Sequence, residues 1–232
     1  MKHSSVILTL LLILNGISCK RESALPDIRR LGLDYFPLEI NSYKVYDVQE
    51  VEYTLAGERY DNYQLMSEIE SVFINDAGDS IYTINRYIRT DENGQWELVA
   101  VWSAERDNYK AIVTEENVAY QKLSFPIQSE VVWDGNAYNI FEEEEYRYES
   151  VGENFTTDND QLYENTIIVV QNDLLDTIVE WDYRIEAHAR GIGLIYKEMT
   201  NLYYCTEDYC RGHKIIETGN IYRQSLLEYG KN

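Results

Sequence analysis

"SIYTINRYIRTDENGQWELVAVWS", residues 80–103, decides the fold class. Residues 80–90 and 95–103 are rich in β-branched and aromatic side chains. The four residues between them, "DENG" (91–94), are turn formers. In the second run Trp96, Leu98, Ala100 and Trp102 recur at a period of two, which places them on one face of a strand. The same grammar extends upstream, where "ESVFI" (70–74) meets residue 80 through "NDAGD", a hairpin signal.

Working outward, short-period strands separated by turns fill most of the chain. "YKVYDVQEVEYTL" (43–55) alternates in two phases, which predicts a β-bulge near Gln49–Glu50. "YKAIVT" (109–114), "VVWDGNAYNIF" (131–141), "ENTIIVVQ" (164–171), residues 177–205 and residues 213–230 read as further strands. "GENFTTDNDQ" (152–161) reads as a polar loop, and residues 60–72 are ambiguous between helix and strand. The expectation is an all-β, antiparallel body of about ten strands in sequential hairpins. It takes the form of a strongly curved sheet, a half-barrel or a sandwich. An aromatic-Pro-aliphatic echo links "YFPLEINSYKVYD" (35–47) to "SFPIQSEVVWDG" (124–135). It would mark two related halves meeting near residue 120 of a single domain, 35–232.

The N-terminus carries a different signal. Lys2 precedes the apolar run "VILTLLLIL" (6–14), which is too short to span a bilayer and has the length of a signal-peptide core. Gly16, Ile17 and Ser18 then lead into Cys19, a pattern that resembles the lipobox of bacterial lipoproteins. The resemblance implies removal of residues 1–18 and acylation at Cys19. Two or three acyl chains at about 0.8 kcal/mol per buried methylene give a firm membrane anchor. Residues 19–34 then read as a lipidated tether. Three cysteines are present in all. With Cys19 acylated, Cys205 and Cys210 remain as an even pair, and an oxidising compartment favours a disulfide across a turn.

Composition excludes some partners. A formal charge of −21 on 232 residues argues against nucleic acid. Tyrosine is the oddity, at 21 residues against 5 Phe. Tyr is a strand former with an apolar body and a polar tip, suited to lining a wet sheet face.

No catalytic motif is present. There is no G-x-S-x-G, H-E-x-x-H or P-loop, and no metal or cofactor is expected. His188 and His213 belong to no spaced triad or ligand set. "EEEE" (142–145) would put two carboxylates on each face of a strand as a solvated run.

Four blocks resemble a group of uncharacterised envelope lipoproteins from Bacteroidota. They are "DYFPLEINSYKVYDV" (34–48), "LSFPIQSEVVWDGNAYN" (123–139), "ARGIGLIYKE" (189–198) and "YRQSLLEYG" (222–230). The resemblance implies a β-rich, membrane-anchored protein and supplies no activity. "CKRES" lacks the acidic run that such lipoproteins carry when exported to the cell surface. The periplasmic face of the outer membrane is therefore the expected address.

The functional expectation is a non-catalytic binding or scaffolding lipoprotein. A curved sheet with an apolar concave face suits a lipid or another hydrophobic ligand, with Trp96, Trp102, Trp133 and Tyr138 as candidate ligand-binding residues. One alternative is an accessory protein that captures glycan or peptide, or an envelope protein partner, through exposed aromatics. A weaker one is a carboxylate-based hydrolase around residues 142–145.

Overall fold

The turns set the hairpins. The Asn75 side-chain oxygen accepts the backbone N–H groups of Ala77 (3.0 Å) and Asp79 (2.9 Å). Asp107 takes those of Tyr109 (2.7 Å) and Lys110 (2.8 Å) in the same way. Asp91 accepts from Asn93 at 2.8 Å, and Asp176 from Ile178 at 2.8 Å. A short acceptor side chain at the head of each turn satisfies N–H groups that the ladder leaves free.

The computed structural model describes residues 27–176 and 178–232. The signal region and Cys19 lie outside the described residues. The first meander comprises β1 (Ser42–Thr54), β2 (Gly57–Ile74), β3 (Ser80–Arg89), β4 (Glu97–Arg106), β5 (Lys110–Glu115) and β6 (Val118–Ser124). The second comprises β7 (Val132–Asp134), β8 (Glu145–Thr156), β9 (Leu162–Leu175), β10 (Glu180–Ala189), β11 (Gly193–Tyr204) and β12 (Ile216–Lys231). All twelve form one antiparallel sheet in the order β6-β5-β4-β3-β2-β1-β12-β11-β10-β9-β8-β7. The two meanders therefore join through β1 and β12, and their far edges, β6 and β7, face each other across a seam.

Three bonds stitch β6 to β7 and the turn that follows it. Gln121 N donates to Gly135 O, Trp133 Nε1 to Gln121 O, and Asn139 Nδ2 to Ala119 O, each at 2.9 Å. The result is a nearly closed twelve-stranded barrel, which is the half-barrel expectation carried further round. Gly135 is required at this seam, because a Cβ there would run into the Tyr146 ring.

Several local expectations are corrected. β1 pairs without a break through Gln49 and Glu50. The bulge lies opposite Val45 and Tyr46, where Leu227 is the extra residue of β12. Residues 60–72 belong to β2, whose polar residues alternate with inward Tyr63, Leu65, Ser67 and Ile69. The loop expected over 152–161 is strand in its first half, since β8 continues to Thr156, and turn in its second. Three register shifts between β8 and β9 coil that hairpin, as bulges do. Its tip folds over β11 and β12. Phe155 packs on Tyr196 with ring centroids 5.3 Å apart, and Asn159 Nδ2 donates to Leu226 O at 3.0 Å.

The segment expected as tether ends sooner than residue 34. Asp27 caps one helical turn, Ile28–Leu31, by accepting from Arg29 N (3.1 Å) and Arg30 N (3.2 Å). The chain then reverses at Gly32 and buries Leu33 and Tyr35. Arg106 fixes this crossing by donating to the carbonyls of Leu33 (2.7 Å) and Phe36 (2.6 Å).

The interior has two parts. Beside the seam, Leu33, Tyr35, Leu123, Phe125, Trp133, Tyr146, Tyr148, Ile167 and Val169 form a filled core. Around the β1–β12 junction, Tyr46, Val48, Leu65, Ile195 and Leu226 form a second cluster that leaves space beside it.

Candidate ligand-binding cavity

The space is a cavity of about 360 Å³ inside the barrel. Its lining extends from Ser42, at the start of β1, to Asn220, which pairs with Glu52 further along that strand. On β2 the lining runs from Tyr63 to Ile69 and on β11 from Gly193 to Met199, about 20 Å of strand each, so the cavity is elongated along the strands. Ile69, Ile84, Val113 and Met199 supply apolar wall. Tyr46, Tyr63, Tyr222 and Trp102 supply aromatic wall.

A buried ion cluster occupies one side. Lys122, on β6, lies 2.7 Å from Glu115 and 3.0 Å from Glu186. Lys197 approaches the same Glu186 oxygen at 3.5 Å, and His188 Nε2 approaches the other at 3.6 Å. Burial alone would lower the Lys122 pKa, but the flanking carboxylates outweigh it and hold the ammonium above its ordinary value. Burial would likewise raise Glu186, but Lys122, His188 and Lys197 hold it well below the usual carboxylate range. Each charge here is satisfied by an opposite one, as a buried cluster requires.

A second group of cations has no such partners. Lys44 pairs in register with Ser67 of β2, and Ser67 pairs with Arg86 of β3. All three side chains line the cavity. At a strand spacing near 4.8 Å, Lys44 and Arg86 stand about 10 Å apart with Ser67 between them. Among the described residues, no carboxylate lies within salt-bridge distance of Lys44 or Arg86. Burial lowers Lys44 to about 8. Its side chain lines this cavity and also a smaller pocket with Pro37, Tyr43 and Gly191. The Arg86 guanidinium stacks on Trp102, 3.6 Å from the ring centroid. The cavity wall thus carries Lys44, Arg86, Lys122 and Lys197 against Glu115 and Glu186. That excess is positive inside a chain of formal charge −21.

The residues singled out from the sequence fall in different places. Trp102 lines the cavity, and Trp96 does not. The register shift opposite Arg86 and Tyr87 inserts Val99 into β4 and breaks the common face. Trp96 instead stacks with Arg89, whose guanidinium lies 4.4 Å from its ring, outside the cavity lining. Trp133 is 8% exposed in the seam core, bonded to Gln121 and packed 4.7 Å from Tyr148. Tyr138 lies 47% exposed, with Lys110 Nζ 4.8 Å from its ring. Cys205 and Cys210 are disulfide-bonded, with Cα atoms 5.8 Å apart. The expectation of two carboxylates on each strand face at 142–145 is corrected, because only Glu145 lies in β8. Glu144 pairs with Arg184, which also bonds Asp182 at 2.8 Å. None of these four glutamates lines the cavity.

Lys44, Ser67, Arg86, Glu115, Lys122, Glu186 and Lys197 escape sequence reading. Their signal is alternation with apolar residues, and the same alternation marks a solvated outer face.

No protein-family model matches the chain, and no curated protein matches it in sequence. Two solved structures are similar in shape. One is a candidate exported protein of Bacteroides fragilis NCTC 9343 with a YmcC-like fold. It is 11% identical, with a TM-score of 0.47, over 84% of this chain and 98% of that one. The other is a candidate lipoprotein of Parabacteroides distasonis ATCC 8503. It is 9% identical, with a TM-score of 0.43, over the same shares.

Proposed function

We propose that the chain is an exported, lipid-anchored envelope protein that holds a hydrophobic or amphiphilic ligand inside its barrel without chemical conversion. The observation that carries the reading is the 360 Å³ elongated cavity. Its size lies within the roughly 300–1,000 Å³ of small-molecule sites, and its wall is mixed aliphatic and aromatic with a few placed polar groups. The Cys205–Cys210 bond supports export, since structural disulfides belong to oxidising compartments. It also leaves Cys19 as the one cysteine outside the pair, within the lipobox-like stretch. The periplasmic face of the outer membrane fits this anchor.

Native mass spectrometry of the protein purified from a bacterial envelope, with and without added envelope lipid extract, tests the reading. The expected spectrum shows an added species of lipid mass that organic extraction removes. A bare polypeptide mass under every lipid condition would overturn it and turn attention to a protein or glycan partner on the outer surface.

A further inference from the structure

Two arginine–tryptophan pairs occur on neighbouring strand segments, and their surroundings differ. Arg89 with Trp96 lies outside the cavity lining, and Arg89 Nε also donates to Gln64 at 2.8 Å. Arg86 with Trp102 lies inside it. A guanidinium turned into a barrel normally arrives with a carboxylate, as Lys122 does here with Glu115 and Glu186. Arg86 and Lys44 have none. Glu50 is a carboxylate on the same strand as Lys44. It accepts from Tyr63 at 3.4 Å and does not line the cavity.

Three further observations point the same way. Ser67 stands between the two cations in register and lines the same cavity. His188 is 2% exposed, lines the same cavity, and has no hydrogen-bond partner at Nδ1. Burial disfavours the charged form of Lys44, a cost that an anion beside it would offset.

We propose that the Lys44–Ser67–Arg86 row binds the anionic head, carboxylate or phosphate, of an amphiphile whose apolar body lies along the lumen against Ile69, Ile84 and Met199. The row offers an ammonium, a hydroxyl and a planar fork of N–H donors within about 10 Å, which suits an oxyanion. The elongated cavity suits a chain. The proposal rests on the lumen being the ligand site and adds the chemical class of the ligand.

Calorimetric titration at about pH 7 with octanoate, octyl phosphate, 1-octanol and inorganic phosphate separates the two claims. At least one of octanoate and octyl phosphate should bind about ten-fold or more tighter than 1-octanol. Lys44→Met and Arg86→Gln should each weaken that anion by about ten-fold while leaving 1-octanol unchanged, which also reports that the variants are folded. Arg89→Gln, outside the cavity, should change nothing. If 1-octanol binds as tightly as both anions, the anionic head is refuted and the lumen reading stands. If inorganic phosphate matches octyl phosphate, the site takes free small anions and the amphiphile is refuted. If none of the four binds, both the proposal and the lumen reading fail.

Discussion

The seam side of the barrel and the β1–β3 side are built from the same material and end differently. Both turn tyrosines inward, Tyr146 and Tyr148 on one side, Tyr46 and Tyr63 on the other. Beside the seam those rings meet Trp133, Phe125 and Leu123, and the N-terminal crossing adds Leu33 and Tyr35. The space closes. On the β1–β3 side the intervening inward positions hold Lys44, Ser67 and Arg86, and residues 36–38 of the N-terminal segment line the space without filling it. The space stays open. A barrel of twelve strands is wide enough to leave a lumen unless something fills it. Here a short N-terminal segment fills one side only.

The comparison predicts where the protein is fragile. Trp133→Ala should have the largest effect, because it empties the filled side and removes the bond to Gln121 that holds the seam. A loss of about 4 kcal/mol in urea unfolding is expected. A loss below about 1 kcal/mol would mean that the seam core is not what closes the barrel.

Glu186→Gln comes next. It leaves Lys122 with Glu115 alone and Lys197 without a carboxylate in reach, inside the barrel. About 3 kcal/mol of destabilisation is expected, since an uncompensated buried charge is costly. Equal stability of the variant and the parent would show that water already screens this cluster.

Lys44 should behave in the opposite sense, with the smallest effect. Its folded pKa of about 8 is below the ordinary lysine value of 10.5, so between those pH values the unfolded chain binds more protons. Its contribution therefore makes stability rise with pH across that window. Lys44→Met should remove this rise and stabilise the protein near pH 7 by about 1 kcal/mol, less than the full shift implies because the head keeps solvent access. Thermal midpoints at pH 7, 8 and 10 check it. A lower midpoint for Lys44→Met at pH 7 would show that the lysine has a partner that stabilises it.

Much of the barrel was legible locally. The "NDAGD" and "DENG" turns are where the sequence places them, and each begins or nearly begins with an acceptor side chain that bonds its own turn. The Cys205–Cys210 pair was legible from arithmetic and spacing. The bulges were not. The phase break in residues 43–55 pointed to Gln49–Glu50, while the extra residue is Leu227 on the partner strand. In β4 the inserted Val99 moved Trp96 off the face of Trp102. A bulge depends on two strands at once, and one strand's pattern does not report it.

The sequence by itself determined most of the strands, their hairpin order and the staple. Period-two patterning, turn chemistry and cysteine pairing act over a few residues. Only the tertiary structure decided which polar face is inside. Lys44, Ser67 and Arg86 read as a solvated stripe until β6 meets β7 and the sheet closes around them. Closure comes from contacts such as Gln121 with Gly135 and Trp133, and from the crossing of Leu33 and Tyr35. Those contacts set the difference between an outer surface and a lumen, and no single strand encodes it.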